Sequence, residues 1–290
     1  MSKSLAKQIR KVIVLANKRK EEALGIVEEI QAYLHTRKIE YSVQFTVDPD
    51  DTSLQIPEKT DLAICLGGDG TVLSCARLLH SHGIPMLAVN LGTFGFITEI
   101  SKNEWKEAFE AYEAGKSGVS RRLMIRVTVN RNEKRVFQGH GLNEMAISAS
   151  GISKMVSLDV FINQTMAGHF RSDGIIVSTP TGSTGYSLAA GGPILDADLD
   201  VLIVNPVCPF TLSNRPLVIS GEDVVRVLVL SKQKTKIMLT IDGQVPFILE
   251  EGDMITVEKA RSKALLITSS QRNYYEVVRD RLNWSGGMHA

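Results

Sequence analysis

The feature that most constrains this chain is a short apolar run ending in glycine: Leu62-Ala63-Ile64-Cys65-Leu66, then Gly67-Gly68-Asp69-Gly70-Thr71. Consecutive apolar residues of this kind read as a strand covered on both faces, the pattern of a parallel sheet between helices. The glycine pair sits at the strand's carboxyl end, and a helical stretch, Val72 to His80, follows it. Without Cβ atoms in the way, backbone N–H groups at such a helix start can approach an anion. Gly67, Gly68, Gly70 and Thr71 therefore read as a phosphate or ribose cradle around Asp69. The P-loop pattern GxxxxGKS/T and the dinucleotide pattern GxGxxG are both absent. The plain structural alternative is a tight turn with Asp69 or Thr71 as a helix cap, but capping has no need of three glycines.

The same alternation runs through the first 120 residues. Val12 to Ala16 is a second continuous apolar run, Glu21 to Arg37 places Leu24, Val27, Ile30 and Leu34 on one helical stripe, and Tyr41 to Val47 and Pro85 to Asn90 read as further strands. This predicts an α/β domain built on a Rossmann-like, doubly wound parallel sheet over residues 1–120. After the amphipathic helix Glu104 to Lys116 the pattern changes to short strands with turn residues between them: Leu123 to Asn130, Arg135 to Ser148, Leu158 to Asn163, Gly174 to Ser178, Val201 to Asn205, Val224 to Leu230, Lys236 to Ile241 and Met254 to Lys259. Residues 121–270 are thus expected to form a β-rich, sandwich-like domain. Residues 271–290 are expected to form a helix and tail packing back on the body.

Charge and cysteine content narrow the class. Lys plus Arg (33) and Asp plus Glu (32) leave a net charge of +1, which argues against nucleic acid or an anionic membrane as the main partner. The three cysteines, Cys65, Cys75 and Cys208, form no CxxC pair and no disulfide framework, and no apolar run approaches a membrane span. A cytoplasmic protein is the expectation.

Three further segments carry groups suited to a nucleotide. Asn90-Leu91-Gly92-Thr93-Phe94-Gly95-Phe96 is a second glycine-bearing turn after a strand, and two such loops at neighbouring carboxyl ends flank one crevice. Phe94 or Phe96 is placed to cover a ring, although either alone reads more readily as core. Gly141-Leu142-Asn143-Glu144 interrupts a strand-like run with a carboxylate suited to two ribose hydroxyls and an amide suited to a base edge. The densest segment runs from Asp173-Gly174 through Ser178-Thr179-Pro180-Thr181-Gly182-Ser183-Thr184-Gly185-Tyr186-Ser187, where hydroxyls and glycines crowd a strand-to-helix turn, with Arg171 just ahead. Histidines show no metal spacing, so zinc has no support, whereas Asp69 and Asp242 are oxygen donors suited to magnesium beside a phosphate.

Together these segments resemble the NAD kinase family, comprising ATP-NAD kinases and polyphosphate/ATP-NAD kinases, over roughly residues 12 to 270. GGDGT alone is shared with diacylglycerol, sphingosine and 6-phosphofructo-kinases. The combination LGGDGT, NLGTFGF, LNE, DGIIVSTPTGSTGYSLAAGGPI, NPVCPFTLSNRPLVI and IDGQ, in that order, is the NAD kinase pattern. The resemblance implies an α/β domain and a β-rich domain that together form the site, assembled as a homo-tetramer or dimer. It implies transfer of the γ-phosphate of ATP, or of another phosphoryl donor, to the 2′-hydroxyl of the adenosine ribose of NAD, giving NADP, with Mg2+ as the cation. Asp69 matches the catalytic aspartate, with Gly70 beside it. Asn143 and Glu144 match the pair that holds NAD, and Asp173 with Thr184, Gly185, Tyr186, Ser187, Leu188 and Ala189 matches the adenine and ribose pocket, with Thr181 in the same loop. Lys154, Arg171 and Gln244 fall at further nucleotide contacts, and Phe96 matches an aromatic near the substrate. Two departures stand out: the family's TAY is Thr184-Gly185-Tyr186, and its CPHTLS has Phe210 in place of histidine. The competing readings are a lipid or sugar kinase sharing GGDGT and a non-catalytic NAD(P) sensor; an intact Asp69 argues against the sensor.

Overall fold

Val12 to Ala16 and Leu62 to Leu66 are fully buried side by side in one parallel sheet, as their uninterrupted apolar character requires. The computed structural model describes residues 8–46, 54–92, 95–150, 155–211, 213–231, 233, 235–269 and 271–284. Its chain divides into two units, residues 1–121 with 264–290, and residues 122–263. No helix among the described residues is long and apolar enough to cross a membrane.

The first unit opens with β1 (Lys11–Asn17), α1 (Glu22–Thr36), β2 (Glu40–Thr46), β3 (Leu62–Gly67), α2 (Asp69–Leu79), β4 (Pro85–Asn90), β5 (Ile100–Ser101), α3 (Trp105–Glu113) and β6 (Val119–Arg122). Alternation along β1 and β3 sends Val12, Val14, Leu62 and Ile64 to the face packed by α1 and α3. There Ala23, Val27, Ile30 and Leu34 of α1 meet Trp105 and Phe109 of α3, and Tyr33 sits edge-on to both aromatic rings at 5.4 and 5.7 Å. Each such fully buried large side chain contributes roughly 1.5–3 kcal/mol. Cys65 on the opposite face lies against Cys75 of α2, so the sheet is covered on both sides.

The second unit holds β7 (Ile125–Arg131), β8 (Lys134–Gly141), β9 (Glu144–Ala149), β10 (Val156–Ile162), β11 (Thr165–Ser172), β12 (Gly174–Ser178), α4 (Tyr186–Ala189), β13 (Val201–Val207), β14 (Leu217–Ser220), β15 (Val225–Val229), β16 (Ile237–Ile241), β17 (Val245–Leu249) and β18 (Met254–Lys259). They form two antiparallel sheets, ordered β11-β10-β15-β18-β7-β8 and β14-β13-β12-β9-β16-β17. Val127, Val160, Val227 and Val257 of one sheet and Ile147, Val177, Val204 and Leu239 of the other share a single apolar core. This is a β-sandwich. Strand β12 is buried along its whole length, because the segment from Thr181 through α4 packs on it.

The chain then returns to the first unit. β19 (Ala264–Ile267) pairs in parallel with β4 and completes the sheet order β2-β1-β3-β4-β19-β6, with β5 attached to β4. The sequence assigns this strand to the β-rich part with a boundary at residue 270, whereas the division falls at Lys263/Ala264. Four residues between turns carry no mark of which sheet they will join. The last helix, α5 (Tyr274–Leu282), starts with an Asn273–Glu276 capping box. Arg272 ties this tail to α3 through two bonds to Glu104, at 2.8 and 2.9 Å, which hold the Glu104 carboxyl at about 2.

Two local expectations are corrected. The helix after the glycines begins at Asp69, three residues earlier than its apolar stripe indicates, because the N–H groups of Thr71 and Val72 both bond to the Gly68 carbonyl. The single strand expected from Arg135 to Ser148 is two strands, β8 and β9, broken at Leu142 and Asn143.

Candidate active site

In the first unit, Gly67 ends β3 and Gly68 is the N-cap of α2, with no side-chain cap. The capping alternative for Asp69 and Thr71 therefore falls away. A Cβ on Gly67 would overlap the Thr71 side chain. Asp69 turns toward the loop between β4 and β5. Its Oδ2 accepts from the Phe96 N–H at 2.8 Å, and its Oδ1 accepts from the N–H groups of Ile97 at 3.2 Å and Thr98 at 3.1 Å and from the Thr98 hydroxyl at 3.0 Å. Gly95 lies so close to this carboxylate that a Cβ there would overlap it. Thr98 is itself held by the Asn90 amide at 2.8 Å and the Gly95 N–H at 3.1 Å. The two glycine loops named in the sequence are thus one structure, tied through Asp69.

A third loop joins them. Asn17, at the carboxyl end of β1, donates to the Thr71 hydroxyl at 3.3 Å. Lys18, Arg19 and Lys20 follow it, exposed, and their side chains have no acidic partner among the described residues. Lys20 Nζ lies 3.9 Å from the position a Cβ of Gly92 would take. Sequence reasoning passed over this basic triplet and Thr98: only the three-dimensional adjacency of β1, β3 and β4 distinguishes the triplet from an ordinary solvated run.

In the second unit, the segment 142–144 and the loop 178–185 are stitched together. The Thr179 N–H donates to the Asn143 carbonyl at 2.8 Å, the Thr179 hydroxyl to the Leu142 carbonyl at 2.6 Å, and the Gly182 N–H to the Thr179 hydroxyl at 3.1 Å. Three buried polar atoms in this cluster, Asn143 Oδ1, Glu144 Oε2 and Thr181 Oγ1, have no hydrogen-bond partner among the described residues. Each such unmade bond costs about 1–3 kcal/mol, and native proteins retain them where a ligand completes them. Burial, reinforced by the Asp242 charge, pushes the Glu144 carboxyl up from 4.5 to about 8. A Cβ on Gly185 would stand 3.3 Å from both Asn143 Nδ2 and Glu144 Oε2, so the TGY departure leaves room directly beside the pair.

The remaining expected residues are spread around these clusters. Ser187 is buried and near Asn205, whose Nδ2 donates to the Ser187 carbonyl at 3.0 Å; Tyr186 is exposed, and Leu188 and Ala189 complete α4. Asp173 is exposed, Arg171 lies over the Phe210 ring at 5.6 Å, and Gln244 sits in the β16–β17 turn. The Phe96 ring faces Arg281 at 5.9 Å. Thr93, Phe94 and Lys154 lie outside the described residues.

Asp242 does not fit a magnesium ligand. It is buried, and its two oxygens accept the N–H groups of Leu142, Asn143 and Glu144. No group of three His, Cys, Asp or Glu residues able to hold a metal occurs among the described residues. A cavity of about 520 Å3 lined by Ile9, Asp61, Pro85, Tyr112, Arg121 and Leu265 opens at the opposite, amino ends of the strands, but none of the orphaned buried polar atoms lines it. The chemistry gathers instead at the carboxyl edge of the parallel sheet and around the Asn143–Glu144 pair, in groups suited to sugar hydroxyls and phosphates.

Similarity to known proteins agrees with that class. The ATP-NAD kinase N-terminal domain family matches residues 49–117 and the ATP-NAD kinase C-terminal domain family matches residues 142–269. The NAD kinase of Treponema denticola is 39% identical over 278 residues, covering 96% of this chain and 98% of that protein. The NAD kinase of Geotalea daltonii is 37% identical over 286 residues, covering 95% and 99%. Among solved structures, an NAD kinase from Archaeoglobus fulgidus in complex with ATP superposes with a TM-score of 0.72 at 27% identity, covering 93% of this chain and 98% of that one. Yeast NADH kinase complexed with NADH has the same fold, with a TM-score of 0.86 at 23% identity over 98% of this chain and 90% of that one. The chain belongs to the NAD kinase family.

Proposed function

We propose that this chain transfers the γ-phosphate of ATP to the 2′-hydroxyl of the adenosine ribose of NAD, giving NADP and ADP. The observation that carries the choice of acceptor is the buried set Asn143 Oδ1, Glu144 Oε2 and Thr181 Oγ1, three polar atoms in want of partners in one cluster. With its carboxyl raised to about 8, Glu144 is protonated at neutral pH and donates to one ribose oxygen while accepting from a hydroxyl. Gly185, Tyr186, Ser187 and their neighbours in α4, with Asp173, Arg171 and Gln244, are assigned to the same nucleotide.

Asp69 is assigned the reacting hydroxyl. A carboxylate has about four acceptor positions; Oδ1 takes three donors and Oδ2 one among the described residues, so Oδ2 has capacity for a further O–H. Aspartate is a weak base toward a sugar hydroxyl. Phosphoryl transfer tolerates this, because its loose transition state depends chiefly on alignment and charge stabilisation. As the ribose oxygen bonds to the γ-phosphorus and the bond to the leaving ADP oxygen breaks, the proton passes to Oδ2. The start of α2 at Gly67 to Thr71 and the cations Lys18, Arg19 and Lys20 are assigned to the donor phosphates. Magnesium is assigned to the nucleotide as part of the metal–ATP substrate, in keeping with the lack of a three-ligand cage among the described residues. Family membership is the ground for reading the chain as a cytoplasmic homo-oligomer.

Incubation with ATP and Mg2+ plus NAD, NADH or a diacylglycerol tests the assignment, with NADP as the expected product; turnover of the lipid alone would overturn it. Asp69→Asn is expected to lower kcat by about 100-fold or more with the KM for NAD little changed. Near-normal turnover in that variant would remove Asp69 from the chemistry.

A further inference from the structure

The aspartate of the IDGQ segment is among the most constrained residues of the second unit. Asp242 occupies the left-handed region at φ 53°, with Gly243 following at φ 64°. Its Oδ2 accepts from the Leu142 N–H at 3.1 Å, and its Oδ1 from the N–H groups of Asn143 at 2.7 Å and Glu144 at 3.2 Å. Its own N–H returns to the Glu144 carbonyl at 2.9 Å. A Cβ on Gly141 would stand 3.0 Å from Oδ1, so the glycine leaves space for this carboxylate.

We propose that Asp242 is a positioning residue: by clasping three successive N–H groups where the chain leaves β8 in one sheet and enters β9 in the other, it fixes the direction in which Asn143 and Glu144 meet the nucleotide. The inference rests on the reading that this pair holds NAD. The backbone supplies the mechanism. A continuous strand would send residues 142–144 alternately to opposite faces; the bend at Leu142 and Asn143, held by the clasp, brings Asn143 Nδ2 and Glu144 Oε2 beside the same point near Gly185. The carboxylate also sets the electrical environment. Its charge adds to burial in raising the Glu144 carboxyl. The loop Thr181 to Gly185 packed beside Glu144, and the flanking strands β12 and β16, carry no ionisable side chain. Burial is the larger cause of the raised Glu144 carboxyl, and Asp242 is the charge that adds to it.

Asp242→Asn retains one acceptor oxygen but turns an amide donor toward the Leu142 N–H and removes the charge. The expected result is a KM for NAD raised about tenfold, equivalent to about 1.4 kcal/mol, with kcat and the KM for ATP within about threefold of the parent, on the scale of a lost charged hydrogen bond. The pH at which the KM for NAD changes, near 8 in the parent, should move lower in the variant. A purely structural role would not shift that profile. An unchanged KM and profile would overturn the proposal. Glu144→Gln and Asn143→Ala separate the two readings: if neither changes the KM for NAD, the assignment of the pair fails, whereas an effect there with none from Asp242→Asn sinks the clasp alone. Should Asp242→Asn fail to fold, hydrogen exchange on the unaltered protein decides, since the amides of Leu142, Asn143 and Glu144 must be protected and free exchange there would refute the clasp.

Discussion

Thr98 shows how one hydroxyl serves a carboxylate it does not resemble chemically. It is fully buried, donates to Asp69 Oδ1, and accepts from the Asn90 amide and the Gly95 N–H. Valine has nearly the same shape but leaves both donors without an acceptor, at about 1–3 kcal/mol for each buried group. Thr98→Val is therefore expected to lower stability by about 2 kcal/mol in urea denaturation, and to reduce kcat more than the KM for NAD as Asp69 loses its fixed orientation. Thr98→Ser should restore both. In the sequence Thr98 is one of many threonines, whereas Asp69 is legible because its glycine neighbours are unusual. The reason lies in distance: Asp69 lies 29 residues from Thr98 in the chain, and the two meet because β3 and β4 pair side by side.

At the scale of elements, β9 carries an acid in the middle of a sheet. It pairs with β12 on one side and β16 on the other, and Glu144 is 5% exposed. Because the folded carboxyl titrates near 8 and the free one near 4.5, the folded chain binds the additional proton between those values. The contribution of Glu144 to stability is therefore full below pH 4.5 and is lost as pH rises toward 8. Glu144→Gln removes this dependence, so the variant should gain over the parent by an amount that grows across the window, on the order of a few kcal/mol at its upper end. Melting temperatures of both proteins at pH 5.5 and pH 8 measure the difference; an equal difference at both would contradict it. The run from Arg135 to Ser148 looks like one long strand because its break is made by two ordinary residues: Leu142 and Asn143 form a bend whose N–H groups turn to Asp242.

For the molecule as a whole, the returning strand matters most. β19 sits between β4 and β6 in the sheet order, and Arg272 beyond it binds Glu104. A chain ending at Lys263 keeps the whole sandwich but leaves β4 without that neighbour. It is expected to show a protease-resistant fragment near residues 122–263 and rapid cleavage within residues 1–121, read by limited proteolysis and mass spectrometry; equal resistance of both units would show that β19 is dispensable. Much of this architecture is local in origin. Continuous apolar runs made β1 and β3 legible as a buried parallel sheet, short runs between turn residues marked β15, β16 and β18 as strands of a β-rich domain, and glycine-rich turns marked Gly67 to Thr71 and Thr181 to Gly185, because periodicity and Cβ sterics act within a few residues. Tertiary structure alone decided that Ala264 to Ile267 joins the first sheet, that Thr98, itself held by Asn90, holds Asp69, that Asp242 clasps the Asn143–Glu144 segment, and that Lys20 stands beside the Gly92 turn. Those are contacts between residues distant in the chain, and no local preference encodes which of many equivalent partners a carboxylate or a four-residue strand will meet.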